Sequence, residues 1–188
     1  MISHPFQWLS QTAQRRALWC VLPLTWLVMF CLRRIDVPLR TTAAPQGILS
    51  FELAGTLAKA NAMIVSWQPG GLFHAGLSLG FDYLFMPLYA TSIALCCVLL
   101  SQRGGLVLAR CGALLAWAQL AAAALDAVEN YALIQLLLGA QTEMWPWLAH
   151  ICANLKFTFV ALGLLFVLGL GLLRGWQRLS GKQRAASA

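Results

Sequence analysis

Residues 76–102, GLSLGFDYLFMPLYATSIALCCVLLSQ, decide the fold class of this chain. The stretch contains a single carboxylate, Asp82, and no lysine or arginine. As an α-helix rising about 1.5 Å per residue, it is long enough to cross a hydrocarbon core of about 30 Å. Two more long apolar runs follow at 106–138 and 146–173, and a shorter one precedes it at 17–32. The sequence therefore predicts an all-α integral membrane protein, with four transmembrane helices in an antiparallel bundle.

The composition of the whole chain agrees with this class. Of its 188 residues, 60% are hydrophobic and only 10% are charged, whereas soluble domains carry about 25% charged residues. Because so small a share of charged residues could not cover the surface of a soluble protein, lipid must surround much of the chain. The length suits one membrane domain spanning residues 1–188.

The net charge of +7 comes from short basic clusters that flank the apolar runs. This placement favours contact with anionic lipid headgroups, so membrane lipids are the expected partners and nucleic-acid binding is not expected. With four spans, the side holding both chain ends carries seven basic residues and the opposite side four. The seven are Arg15, Arg16, Arg103, Arg174, Arg178, Lys182 and Arg184, and the four are Arg33, Arg34, Arg40 and Lys59. The positive-inside rule then predicts a multi-pass protein of the inner (plasma) membrane, with both termini and a basic tail at 174–188 in the cytoplasm.

Residues 47–67, GILSFELAGTLAKANAMIVSW, have an amphipathic pattern instead. At 100° per residue, polar side chains form one stripe and apolar side chains another. The polar stripe consists of Glu52, Thr56, Lys59 and Ser66. We predict one amphipathic helix that lies at the membrane interface or re-enters it, with Glu52 and Lys59 matched within the stripe.

Three charged residues in the later spans are predicted to lie at one depth. Asp82 and Asp126 are each 21 residues from the nearer end of the tight turn at 103–105, which places both about 31 Å from that turn along antiparallel helices. Asp126 and Lys156 are each 15 residues from Gln141, where the third and fourth spans meet. The three side chains should therefore face one another inside the bundle, because leaving any of them in hydrocarbon is costly.

Neighbouring polar residues extend this layer. Asp126, Glu129 and Asn130 have the i, i+3, i+4 spacing of one helix face, and Tyr89 lies on the same stripe as Asp82. Three carboxylates then share one lysine, so the layer would protonate, bind a cation or admit water. The predicted ligand-binding residues are Asp82, Tyr89, Asp126, Glu129, Asn130 and Lys156.

Three functions remain open from the sequence. The first is a membrane protein that binds or helps to move a small ligand, a cation or a proton, with a small molecule or a lipid as its partner. The second is a membrane enzyme that acts on a lipid or isoprenoid-like substrate through a carboxylate acid or base. The third is a structural or accessory subunit, in which Lys156 pairs with a carboxylate only to fix the helix register.

No cofactor or metal follows from the sequence. His74, His150 and Glu143 are predicted on one side of the membrane, but they lack the E-x-x-H spacing on which di-iron bundles rely. The six cysteines fall in apolar segments without a C-x-x-C pair, which is typical of small buried side chains.

Overall fold

The computed structural model describes residues 3–102 and 104–186, with side chains as far as Gln177. Within that part, four helices are long and apolar enough to cross a membrane, and a 3-10 helix (Val37–Leu39) and two short α-helices lie between the first and second of these. The long helices are α1 (Gln11–Ile35), α4 (Gly71–Ser101), α5 (Leu106–Leu137) and α6 (Met144–Ala186), and the short ones are α2 (Ile48–Glu52) and α3 (Leu57–Ser66). The predicted all-α membrane bundle is confirmed.

The helices extend beyond the predicted spans at several ends. The first helix begins at Gln11, not at residue 17, because the Ser10 hydroxyl caps it by accepting a hydrogen bond from the Ala13 N–H at 3.2 Å. The last helix continues into the segment predicted as a basic tail. Arg103 of the predicted turn, the side chains of the basic residues after Gln177, and residues 187–188 lie outside the described part of the chain.

The core of the bundle is formed by α4, α5 and α6, which all pack against one another. In contrast, α1 packs along α4, where the Thr25 and Ser92 hydroxyl groups lie 2.9 Å apart. Where α1 begins and α4 ends, Gln102 donates a 3.2 Å hydrogen bond to the side-chain oxygen of Gln14. Among the described residues, α1 has no extensive contact with α6. A gap therefore separates α1 from α6 on one side of the bundle.

Residues 48–66, comprising α2 and α3, form a lid over the end of α5 and α6. The prediction of a single amphipathic helix here is wrong, because the helix breaks between Glu52 and Leu57. Gly55 adopts a φ of +70°, which favours glycine. Thr56 then caps α3 by accepting a hydrogen bond from the Lys59 N–H.

The lid is fixed to the bundle by apolar packing and by hydrogen bonds. Phe51 and Trp67 are almost fully buried and meet edge to face at 5.2 Å between ring centres. The Trp67 indole N–H also donates a 2.8 Å hydrogen bond to the Leu39 carbonyl. Asp36, just after α1, accepts a 2.7 Å hydrogen bond from the Ile48 N–H at the start of α2. The position of α2 is thus set by the end of α1.

Candidate functional site

Lys156, on α6, lies at the centre of a buried group of carboxylates. Its Nζ donates to Oδ1 of Asp126 at 2.6 Å and to Oε1 of Glu129 at 3.0 Å, both on α5. Lys156 is only 5% exposed, Asp126 3% and Glu129 0%. The predicted contact between Lys156 and at least one carboxylate is confirmed, since it contacts two of the three.

Asp82 and Tyr89, both on α4, complete this layer from the other side. Oδ2 of Asp82 accepts a 2.8 Å hydrogen bond from the Asn130 amide, and the Tyr89 hydroxyl donates a 3.0 Å hydrogen bond to Oδ2 of Asp126. Asp82 thus joins the layer through Asn130 and not through a direct ion pair with Lys156. The structure brings all six predicted residues together, and their assignment to a ligand stays a prediction.

Glu52, at the end of α2, is a fourth carboxylate in the layer and was not part of the predicted site. Its Oε2 lies 3.4 Å from Nζ of Lys156 and accepts no hydrogen bond from any described residue. The predicted match between Glu52 and Lys59 is wrong, since Lys59 is exposed on α3, beyond the helix break. In the sequence, the Gly55-Thr56 pair indicates the helix break, because glycine favours the end of one helix and threonine the N-cap of the next.

The layer has an excess of negative groups. Four carboxylates, those of Glu52, Asp82, Asp126 and Glu129, surround the one ammonium of Lys156. Burial raises the pKa of the Glu52 carboxyl, and the negative charge of Asp126 adds to this rise. The positive charge of Lys156 lowers the same pKa, but by less than burial raises it. A buried excess of carboxylates is stabilised by a further cation or by protons. The layer therefore either takes up protons or has room for a further positive charge.

A cavity of about 450 Å³, here called the inner cavity, lies beside this layer between α1, α4 and α6. Its polar end is formed by residues of the layer, namely Glu52, Asp82, Tyr89, Asp126 and Lys156. Most of its remaining wall is apolar and includes Leu22, Met29, Phe85, Ile93, Val160 and Leu164. Its volume falls within the range of about 300–1,000 Å³ of small-molecule sites, which are likewise mostly apolar with a few polar groups.

The inner cavity reaches the surface of the bundle through the gap between α1 and α6. Trp26 on α1 and Phe157 on α6 both line the cavity, yet they are 63% and 39% exposed. In a membrane-spanning bundle, this surface faces lipid tails. The cavity thus has a side opening through which an apolar chain could enter from the bilayer.

A second cavity of about 460 Å³, the outer cavity, lies between the end of α1, the lid and α4. It shares five lining residues with the inner cavity, so the two adjoin at the carboxylate layer. These are Met29, Leu49, Glu52, Asp82 and Phe85. The outer cavity also borders Arg33, Asp36 and Arg40, near the end of α1. Glu52 and Asp82 lie where the two cavities adjoin, with Arg33 and Arg40 on one side and the mostly apolar inner cavity on the other.

The two histidines considered from the sequence lie apart from this layer. The His74 ring faces the Gly70 carbonyl at 3.4 Å near the start of α4, and His150 lies beside Gly55 of the lid. Within the described part of the chain, no group of three or more His, Cys, Asp or Glu side chains is arranged to hold a metal ion.

Comparisons of the chain with known protein families, with curated proteins and with solved structures find no match.

Proposed function

We propose that this membrane protein binds a long-chain amphiphile with a cationic head. The apolar chain occupies the inner cavity, and the head lies against Glu52 and Asp82 in the carboxylate layer. The observation that carries this proposal is the direct adjacency of a mostly apolar cavity and a layer with four carboxylates and one lysine.

The chemistry of the two ends supports an amphiphile over a bare cation or proton. A small inorganic cation would use only the carboxylates and would leave the apolar chamber without a role. The inner cavity opens sideways between Trp26 and Phe157, so an apolar chain would exchange the lipid tails for a similarly apolar wall. An amine at the end of such a chain would supply the positive charge that the layer lacks.

Binding can be tested with probes that share one chain and differ in the head. Hexadecylamine, hexadecanol and palmitate would each be titrated against the purified protein in detergent, with binding followed as an increase in the temperature of unfolding. We expect the amine to stabilise the protein most, because its charge complements Glu52 and Asp82. Equal stabilisation by all three probes would contradict the proposal.

The place of binding can be tested by filling the chamber. Val160→Trp puts a large side chain into the inner cavity and removes no carboxylate, so it should abolish the stabilisation by hexadecylamine. Leu165→Trp is the matched control, because Leu165 lies on the same helix and is 67% exposed. Equal responses of the two variants to the amine would place the binding elsewhere.

A second candidate function is acid–base catalysis on a lipid or isoprenoid-like substrate. The Tyr89 hydroxyl and the Lys156 ammonium both donate to Asp126, which borders the inner cavity. This arrangement puts proton donors and acceptors beside an apolar chamber, as such chemistry requires. Conversion of a bound lipid, lost in a folded Asp126→Asn variant, would favour catalysis over binding alone.

Glu129→Gln separates both candidates from a purely structural role. Glu129 is fully buried and contacts Lys156. If the layer serves a ligand, the variant should stay folded and lose binding or activity. If the layer only assembles the bundle, the variant should lose expression or stability instead.

A further inference from the structure

The outer cavity places two guanidinium groups next to the carboxylate layer. Arg33 and Arg40 both line it, whereas Arg34 lies over the Phe30 ring at 5.4 Å and lines neither cavity. Arg33 makes no hydrogen bond or ion pair with any residue in the described part of the chain. The Arg33 guanidinium is exposed, so it can exchange water for a ligand without breaking a contact to a described residue.

Arg40 is only partly engaged. Its Nε donates to Oδ2 of Asp36 at 3.2 Å, while the other carboxylate oxygen of Asp36 accepts the Ile48 N–H. Asp36 thus holds the guanidinium by one nitrogen, and the terminal nitrogens of Arg40 form no hydrogen bond with a described residue. Near the end of α1, two arginines thus stand beside one carboxylate, while Glu52 and Asp82 line the other part of this cavity.

The order of charges across the two cavities follows from the residues that line both. The apolar chamber comes first, then Glu52 and Asp82, which line both cavities, and then Arg33 and Arg40, which line only the outer one. An occupant that is complementary to both cavities has an apolar chain, an amine next to the chain, and an anionic group beyond the amine. Guanidinium groups bind phosphate and carboxylate groups well, through paired N–H donors.

We propose that Arg33 and Arg40 form an anion subsite, so that the ligand is a zwitterionic long-chain amphiphile whose amine lies between its chain and a terminal phosphate or carboxylate. This inference rests on the proposed function, because it adds a second head group to the same ligand. It also predicts discrimination by charge order. Phospholipids of the ethanolamine type carry the phosphate between chain and amine, which would put the phosphate beside Glu52 and Asp82.

The test compares three probes on the purified full chain in detergent, with dissociation constants from calorimetric titration. Sphinganine carries a chain and an amine, sphinganine 1-phosphate adds a terminal phosphate beyond the amine, and lysophosphatidylethanolamine has the reversed order. We expect sphinganine 1-phosphate to bind about tenfold more tightly than sphinganine, as one or two charge-assisted hydrogen bonds would give. Lysophosphatidylethanolamine should bind more weakly than sphinganine.

Variants test whether the arginines cause the tighter binding of sphinganine 1-phosphate. Arg33→Gln and the double variant with Arg40→Gln should lose the gain from the phosphate and keep the affinity for sphinganine. Arg33→Gln alone suffices if the double variant does not fold, because Arg33 has no described partner to lose. Arg34→Gln is the matched control and should keep the gain.

The outcomes separate this inference from the proposed function. If sphinganine binds and the phosphate adds nothing, or if its gain survives in Arg33→Gln and in the double variant, the anion subsite is overturned while the amphiphile site stands. Tighter binding of lysophosphatidylethanolamine than of sphinganine 1-phosphate would also overturn the subsite. If none of the three probes binds, both proposals fall.

Discussion

The Lys156 ammonium lies 2.6 Å from the Asp126 carboxylate, although the two residues are 30 positions apart in the chain. The contact crosses from α6 to α5 inside the bundle, where both side chains are almost fully buried. Taking two charges out of water is expensive, and close pairing recovers much of this cost. Loss of either partner would leave the other charge buried without its counter-ion.

Removing the lysine should destabilise the protein strongly. Lys156→Met leaves Asp126, Glu129 and Glu52 without their cation, and breaking a buried ion pair from one side costs about 3–5 kcal/mol. The free energy of unfolding in detergent measures this loss. Lys59→Met is the matched control, because Lys59 is exposed on α3, and it should change stability by less than about 0.5 kcal/mol. Similar losses in the two variants would contradict the described pairing.

Glu52→Gln should change how stability depends on pH. Burial raises the pKa of Glu52 above its ordinary value of 4.5, so the folded protein binds this proton more tightly than the unfolded chain does. Stability contributed by this group therefore falls as the pH rises from 4.5 toward the folded pKa. The glutamine variant should lose this fall, which is at most about 1.4 kcal/mol per pH unit.

Unfolding measured between acid and neutral pH checks this slope. Ser50→Ala is the control on the same short helix, because it removes the Ser50 hydroxyl that accepts from the Gln46 N–H but no titratable group. It should keep the wild-type slope even if the lid is weakened. A slope that is unchanged in Glu52→Gln would show that this carboxyl does not titrate as its burial implies.

Gly47→Ala should loosen the lid. Gly47 has a φ of +61°, and a Cβ atom at this position would collide with the Asp36 carboxylate that holds the start of α2. The backbone strain alone costs about 1–3 kcal/mol, and the collision adds to it. Gly70→Ala is the control, since a Cβ there meets no atom within 4 Å. Faster proteolysis between α2 and α3 in Gly47→Ala alone would fit this role, and equal rates in both variants would contradict it.

The distribution of arginine and lysine in the sequence predicts the orientation in the membrane. A reporter fused after Ala188 should be cytoplasmic, and one inserted near Ala43 should be extracytoplasmic. Reporter activity in intact cells distinguishes the two sides. A reporter after Ala188 that faces outward would overturn this orientation and place the lid and the outer cavity on the cytoplasmic side.

The polar layer could be predicted from sequence because two short connections fixed the relative depth of three helices. Asp82, Asp126 and Lys156 lie at similar distances from those connections, and a constant helical rise then puts them at one level. The i, i+3, i+4 spacing added Glu129 and Asn130 on the same face. These arguments use only local geometry and the cost of a charge in hydrocarbon, so the structure agrees with them.

Glu52 and the cavities could not be obtained in the same way. The helical pattern of 47–67 predicts one helix, with Glu52 on a polar stripe together with Lys59. The break at Gly55 instead turns Glu52 into the bundle, and tertiary packing of Phe51 and Trp67 decides the angle of the lid. The gap between α1 and α6 depends on which helices α1 contacts, and no periodicity in its own sequence encodes that choice.

The most direct test of the central claim locates the chain of a bound amphiphile. A long-chain amine with a bromine at the end of its chain would be crystallised with the protein, and the anomalous signal would give the bromine position. We predict a peak in the inner cavity near Leu22, Val160 and Leu164, with the amine beside Glu52 and Asp82. A peak on the lipid-facing surface of the bundle, or a chamber without bromine at saturating amine, would contradict the claim.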